Sequence, residues 1–323
     1  MKVKSLFFLI LSLVVSLWSD EKYQPGEGWK FSKYPLYLGG YFSVMGSKSE
    51  KSEVLKVDET ALMLYGEFDR YSFLSELEMW EPYAKRFGEM GDEKVQTRVF
   101  IERLFFTYYI DDNSEITVGK LFSQIGFWNT FAINVLRDTT SDPNFIENIF
   151  PEMTTGVVYS RFFDSVLFQA TIQHNPGLDD QYNNFKTDRH YALALTFDNG
   201  VREWKTGLGW FEESEGEDSF YATLGYRRFF SDTTLMAESA IRKSAETDNL
   251  YYDIYAQGVW HYKPRHDLVL RLEEYKDSTA LKREREAVLG YTYRPRHYMA
   301  IKCEYDIYEK RANRWLISFS MMF

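Results

Sequence analysis

The chain has 323 residues, a net charge of −10 from 38 Lys and Arg against 48 Asp and Glu, a single cysteine, and 18% aromatic residues. A mean hydropathy of −0.41 excludes a bundle of apolar membrane helices, each needing ~20 consecutive apolar residues, and one Cys excludes an intrachain disulfide framework. The acidic balance argues against nucleic acid as a partner, since that affinity rests on cations that neutralise phosphates, and 45% hydrophobic residues argue against disorder.

Lys2 and Lys4 open the chain, an apolar run follows from Leu6 to Trp18, and Ser19 offers a small residue for cleavage before Asp20. This layout predicts a cleaved secretory signal peptide over 1–19. No Cys follows it, so lipid attachment at that point is out. Residues 20–34 are expected to form a short periplasmic segment, and 35–323 the folded domain.

From there one pattern repeats: about ten residues alternating apolar and polar, then a connection. It predicts strands over 35–46, 55–68, 71–82, 96–110, 114–122, 153–163, 166–174, 188–198, 201–211, 218–230, 234–244, 250–262, 267–276, 284–294, 298–308 and 313–323. The faces are blurred over 35–46, 96–122 and 153–163. They are clearest at the end, where Trp315, Ile317, Phe319, Met321 and Phe323 alternate with Arg314, Ser318 and Ser320. Short turns follow the even strands, among them Asp164-Ser165 and Asn199-Gly200. Longer polar connections follow most odd strands, and the longest, 123–152, leaves the fifth.

Alternation alone also fits a soluble sandwich. A membrane barrel is favoured by the even strand count, by the alternation of short and long connections, and by roughly nineteen residues per strand and connection, the scale of outer-membrane hairpins. Aromatics also bunch where strands meet the short turns: Phe68, Tyr71, Tyr108, Phe162, Phe163, Phe229, Phe230, Trp260, Tyr262 and Tyr291. A membrane interface selects such a level ring. Backbone polar groups in lipid must pair, so the sheet must close. The predicted fold is therefore all-β, a transmembrane antiparallel up-and-down barrel of about sixteen strands, with fourteen to eighteen as the range. Its third outer loop is expected to fold into the pore. A barrel of this size is wide enough to hold water around inward charges.

The terminal Trp-Leu-Ile-Ser-Phe-Ser-Met-Met-Phe resembles the C-terminal signal strand of bacterial outer-membrane barrels, which the barrel-assembly machinery reads. Val118-Gly119-Lys120-Leu121-Phe122-Ser123-Gln124-Ile125-Gly126-Phe127-Trp128-Asn129 resembles the segment of porins related to the phosphate-selective O/P type in which a strand leads into the pore loop. Gln124 stands where that family has Pro. The resemblance implies a porin in the bacterial outer membrane, with lipid and the assembly machinery as partners and, by analogy with general porins, a homotrimer. Phosphate selectivity is not carried over, because in that family it depends on Lys and Arg lining the pore.

Inward parity gives more acidic than basic wall positions. The expected wall residues are Arg227, Arg242, Arg271, Glu273, Lys302, Glu304 and Asp306, and the expected constriction residues on the loop are Arg137, Asp138, Asp142, Glu147 and Glu152. Loop acids facing Arg227, Arg242 or Arg271 would set a transverse field, and an acid-biased lumen predicts a weakly cation-preferring or non-selective pore for ions and small polar solutes. The alternatives are a channel for hydrophobic or specific small substrates, fitting the aromatic loop, and a closed structural or adhesive barrel. No enzyme is expected. No His lies two residues from a Ser on a lipid-facing strand, and His266-Asp267 falls at a turn. One Cys and no close His pair leave no metal-ligand spacing, and no cofactor is expected.

Overall fold

A computed structural model describes residues 22–31, 34–87, 97–131, 133–178, 183–214, 216–246, 249–276 and 283–323, without the side chains of Lys22 and Glu147. The expected signal peptide, 1–19, lies outside them. Sixteen antiparallel strands form the wall: β1 (Leu36–Ser49), β2 (Glu53–Glu67), β3 (Tyr71–Phe87), β4 (Arg98–Asp111), β5 (Ser114–Phe122), β6 (Met153–Phe163), β7 (Val166–His174), β8 (Thr187–Asp198), β9 (Arg202–Glu213), β10 (Asp218–Phe229), β11 (Thr233–Ser244), β12 (Leu250–Lys263), β13 (His266–Lys276), β14 (Glu284–Arg296), β15 (Met299–Tyr308) and β16 (Arg314–Met322). Each pairs with its neighbour in sequence, and β16 pairs with β1 from Arg314↔Ser49 to Met322↔Tyr41, which closes the ring. All sixteen predicted strands are present. The largest boundary differences are β3, which continues to Phe87, and β1, which continues to Ser49.

The alternation works as the pleat requires. On β13, Leu268, Leu270 and Leu272 are 40–54% exposed on the outside, while Val269, Arg271 and Glu273 are buried inside at 5% or less. Trp315 and Ile317 stand outside on β16 in the same way. Phe162, Phe163, Phe229, Phe230 and Trp260 are exposed near the short turns. Asn199 shapes its turn by accepting from the amides of Val201 and Arg202, and Gly200 supplies a φ of +78°.

Of the strands with blurred faces, β4 has a structural cause for it, which it shares with β2 and β3. Register shifts fall between Phe42 and Val44, Val57 and Glu59, and Glu76 and Leu77. Each bulge inserts a residue and inverts the parity beyond it.

The predicted N-terminal segment contains a hairpin of Lys22–Gln24 and Gly28–Lys30, which pairs onto the start of β1 through Trp29↔Leu38 and Lys30↔Tyr37. The last residue belongs to the wall. Gly40 and Phe323 exchange two backbone hydrogen bonds of 2.8 Å. A Cβ on Gly40 would meet the Ala61 carbonyl at 2.3 Å and the Phe323 ring at 2.8 Å.

The apolar core lies inside the ring and is built around residues 123–152. Ile125, Phe127, Trp128, Phe145, Ile149 and Phe150 pack against Phe211, Tyr221, Met236 and Tyr255 of β9–β12. Ile133 and Val135 pack with Tyr41, Ala61, Met63, Phe122 and Met153. The third long connection therefore crosses the interior and touches both β9–β12 and β1–β2.

Candidate functional site

The internal loop packs inside the ring of strands. Its neck is tied by the Ser123 amide donating to the Glu152 carbonyl at 2.8 Å, and by Asn129 Nδ2 donating to the Ser123 and Glu152 carbonyls at 2.7 and 3.1 Å. Gly126, at φ +70°, turns the chain inward where a Cβ would lie 2.6 Å from the Phe145 ring and 2.9 Å from Glu238 Oε1. The rest contains two single 3-10 turns, Trp128–Thr130 and Asn134–Leu136, and one turn of helix, Phe145–Asn148. So little regular structure leaves many backbone groups to be paired by something else.

The wall pairs them. Glu238 accepts from the Phe127 amide at 2.6 Å and the Trp128 amide at 3.1 Å, and takes a further hydrogen bond from the Tyr255 hydroxyl. Glu304 accepts from the amides of Thr140 at 2.8 Å and Ser141 at 2.7 Å, and Glu273 from that of Asn144 at 2.5 Å. Cations take the carbonyls. Lys302 donates to the Asn134 carbonyl, to Asn134 Oδ1 at 2.7 Å and to the Thr139 carbonyl at 3.0 Å. Arg271 reaches the carbonyls of Ser141 at 2.8 Å and Asp142 at 3.2 Å, and Arg294 that of Arg137 at 2.8 Å. Charged partners make the stronger hydrogen bonds, so the docked conformation is held at many points.

The predicted residues take the following places. Arg137 donates to the Phe131 carbonyl at 2.6 Å and to Asp142 Oδ1 at 2.8 Å, where the Trp128 indole also donates at 3.2 Å. Asp138 lies 3.5 Å from Arg294 and 3.3 Å from Gln257 Nε2. Burial raises the Asp138 carboxyl above its ordinary pKa, against the pull of Arg294 and Lys302. Glu152 stands at the neck, its amide donating to Asn184 Oδ1 at 2.9 Å. The side chain of Glu147 lies outside the described residues. On the wall, Arg271, Glu273, Lys302 and Glu304 are brought to the loop. Asp306 instead pairs with Arg314 at 2.7 Å, Arg227 pairs with Glu203 and lies over the rings of Phe127, Phe131 and Phe229, and Arg242 lies over Phe185 and Tyr251.

Two expectations change. Among the described residues, Asp138 and Asp142 form no ion pair with Arg227, Arg242 or Arg271: Asp142 pairs within the loop to Arg137, Asp138 lies by Arg294, and Arg271 takes the Asp142 backbone carbonyl. Nor do Arg271, Lys302 and Glu304 stand in water, since each is at most 1% exposed beneath the loop. Backbone groups of an irregular internal segment need partners, and these charges supply them.

Residues outside the parity reading complete the picture. Glu59 and Glu102 join Glu76 and Glu78 on the inner face of β2–β4. Tyr41 donates to Glu102 at 2.9 Å and Arg103 pairs with Glu76, while one carboxylate oxygen on each of Glu59, Glu76 and Glu78 has no partner. Bulges at Val57/Glu59 and Glu76/Leu77 displaced these positions from simple alternation, and a bulge leaves no mark in a binary pattern.

Two cavities adjoin the loop. One of about 260 Å³ opens toward the long-loop end and includes Lys56, Asp58, Asp142, Arg311 and Arg314 in its lining. The other, of about 180 Å³, lies toward the short-turn end and includes Trp128, Phe131, Arg137, Asp138 and Gln257. The Arg137–Asp142 ion pair joins a wall of one cavity to a wall of the other.

No protein-family model matches the chain, and no curated protein matches it. Solved structures do. OmpF of Salmonella typhi in complex with daunomycin is similar with a TM-score of 0.67 and 9% identity over 94% of this chain and 100% of that one. The anion-selective porin of Comamonas acidovorans gives 0.65 and 11% over 89% and 99%. The outer membrane channel DcaP of Acinetobacter baumannii gives 0.63 and 10% over 92% and 100%. The chain thus has the closed barrel fold of outer-membrane porins, and the likeness does not single out the phosphate-selective type.

Proposed function

We propose that this chain is an outer-membrane channel through which ions and small polar solutes diffuse passively, with the loop 123–152 as its constriction. The observation that carries the reading is the loop itself, folded inside a closed ring with an apolar exterior and fixed there by wall charges. A purely structural barrel has no need to hold a segment across its interior so firmly. Arg137, Asp138 and Asp142 would bound the narrow passage, and the excess of acidic over basic inward positions would give it a mild cation preference, since rings of charge set ion preference in pores. Export by the segment 1–19, insertion by the barrel-assembly machinery through the strand ending at Phe323, residence in outer-membrane lipid and assembly as a homotrimer belong to the same reading.

Single-channel recording of the refolded mature protein under a KCl gradient tests it. Discrete steps with a reversal potential of the cation-preferring sign are expected. Steps with the opposite sign would overturn the selectivity. Silence from correctly folded protein would overturn the channel. It would favour the second reading, a closed barrel or one specific for apolar solutes, which the deep burial of Arg271, Lys302 and Glu304 and the aromatic packing of the loop support.

A further inference from the structure

The smaller cavity, at the short-turn side of the loop, differs from the rest of the lumen. It combines an apolar wall from Trp128, Phe131, Phe229 and Met236 with a few polar groups, at about 180 Å³. That composition is typical of a ligand pocket, though the volume falls below the ~300–1,000 Å³ of drug-sized sites. Its polar groups are unequally occupied. The cations are spent: Arg137 pairs with Asp142 at 2.8 Å, and Arg227 holds Glu203 with its guanidinium over three phenyl rings. His261 is engaged by Asp267 at 2.6 Å and by the Thr234 hydroxyl at 3.1 Å.

One acceptor is left over. Gln257 is 2% exposed and its Oε1 has no hydrogen-bond partner. Turning the amide over would aim that oxygen at the Asp138 carboxylate, which now receives Nε2, so the orphan oxygen is the assignment the network requires. Asp138 accepts from Gln257 Nε2 at 3.3 Å and pairs with Arg294 at 3.5 Å, and its side chain is about one third exposed, at 32%. A buried acceptor without a donor is costly, and the Gln257 oxygen lies beside the Asp138 carboxylate on one small chamber.

The geometry points to a binding subsite for a small amphipathic amine. Its ammonium donates to Asp138 and Gln257 Oε1, and its apolar body lies against Trp128, Phe131, Phe229 and Met236. A carboxylate of the same size would find its cations already paired and would face the Asp138 charge. The assignment rests on the channel reading only for the route by which the amine arrives.

Isothermal titration of the full mature barrel, folded in maltoside micelles, with benzylamine, benzoate and toluene tests the subsite. Benzylamine is expected to bind with a stoichiometry near one and at least tenfold more tightly than either of the others. Asp138→Asn and Gln257→Leu, checked for folding by heat-modifiable gel mobility, should each weaken it about tenfold. Benzoate binding as well as benzylamine would overturn the proposal, as would folded variants that bind benzylamine like the parent. Should either variant fail to fold, the comparison of benzylamine with benzoate on the parent decides alone. Binding without conductance would remove the channel and leave the subsite, and conductance without binding would do the reverse.

Discussion

The inner faces of the two arcs of this barrel give the same side chain different partners. On β11–β15 the glutamates are consumed: Glu238, Glu273 and Glu304 each accept backbone amides of the loop. On β2–β4 they are crowded together and meet side chains instead of the loop backbone: Arg103 pairs with Glu76 and Tyr41 donates to Glu102. Inward charge in a barrel is therefore not one population. Charge on one arc meets the internal segment and holds it in place, and charge on the other is packed against side chains of the wall itself.

Glu→Gln at paired positions sharpens that contrast, because it removes charge at nearly constant shape. The largest effect is expected from Glu304→Ala. Two buried amides and the nearby Arg271 lose their compensation, which costs about 3–5 kcal/mol, and the loop should detach at Thr140–Ser141. Denaturant melts of the folded barrel and a several-fold rise in single-channel conductance would register it. Unchanged conductance would show that the loop does not set the constriction. Glu304→Gln comes next, at about 1–3 kcal/mol, because an amide NH₂ is brought against loop N–H donors. In the other arc, Glu78→Gln should leave stability unchanged or raised, as it relieves like-charge repulsion with Glu76 and Glu102. The same denaturant melts would show it. A stability loss there equal to that of Glu304→Gln would erase the distinction between the arcs. The smallest effect concerns pH. With the Asp138 pKa raised, its charge is present above that pKa and lost as pH falls through it. Benzylamine affinity should therefore decline on acidification at a higher pH than an ordinary carboxylate would give, as a pH series of the same titration would show.

The arcs also differ in how far the sequence could be read. From β8 onward, alternation runs unbroken through most strand interiors, and the inward set of Lys302, Glu304 and Asp306 follows directly from parity. In β2–β4 each mid-strand bulge reverses the pattern, so Glu102 was missed. The loop's entry into the ring was legible from its length, position and aromatic content. Its partners were not, because hydrogen bonds such as Glu304 to Ser141 join a wall side chain to loop backbone. Backbone carries no sequence signal, and nothing in composition separates a glutamate that faces water from one that faces an amide.

The loop precedes in the chain almost everything that holds it. Thr140 meets Ser318 across 178 residues, and Lys302 lies 168 residues from Asn134. A nascent chain therefore emerges with the ligand of this internal contact long before its receptor exists. Contacts so distant in sequence form slowly, and these cannot form at all until the final strands arrive. The order of events is set by that arrangement: strands accrue first, the last one meets the first, and only then does the loop find its complete set of partners. Docking of the loop is thus a late report that the whole circle has been made.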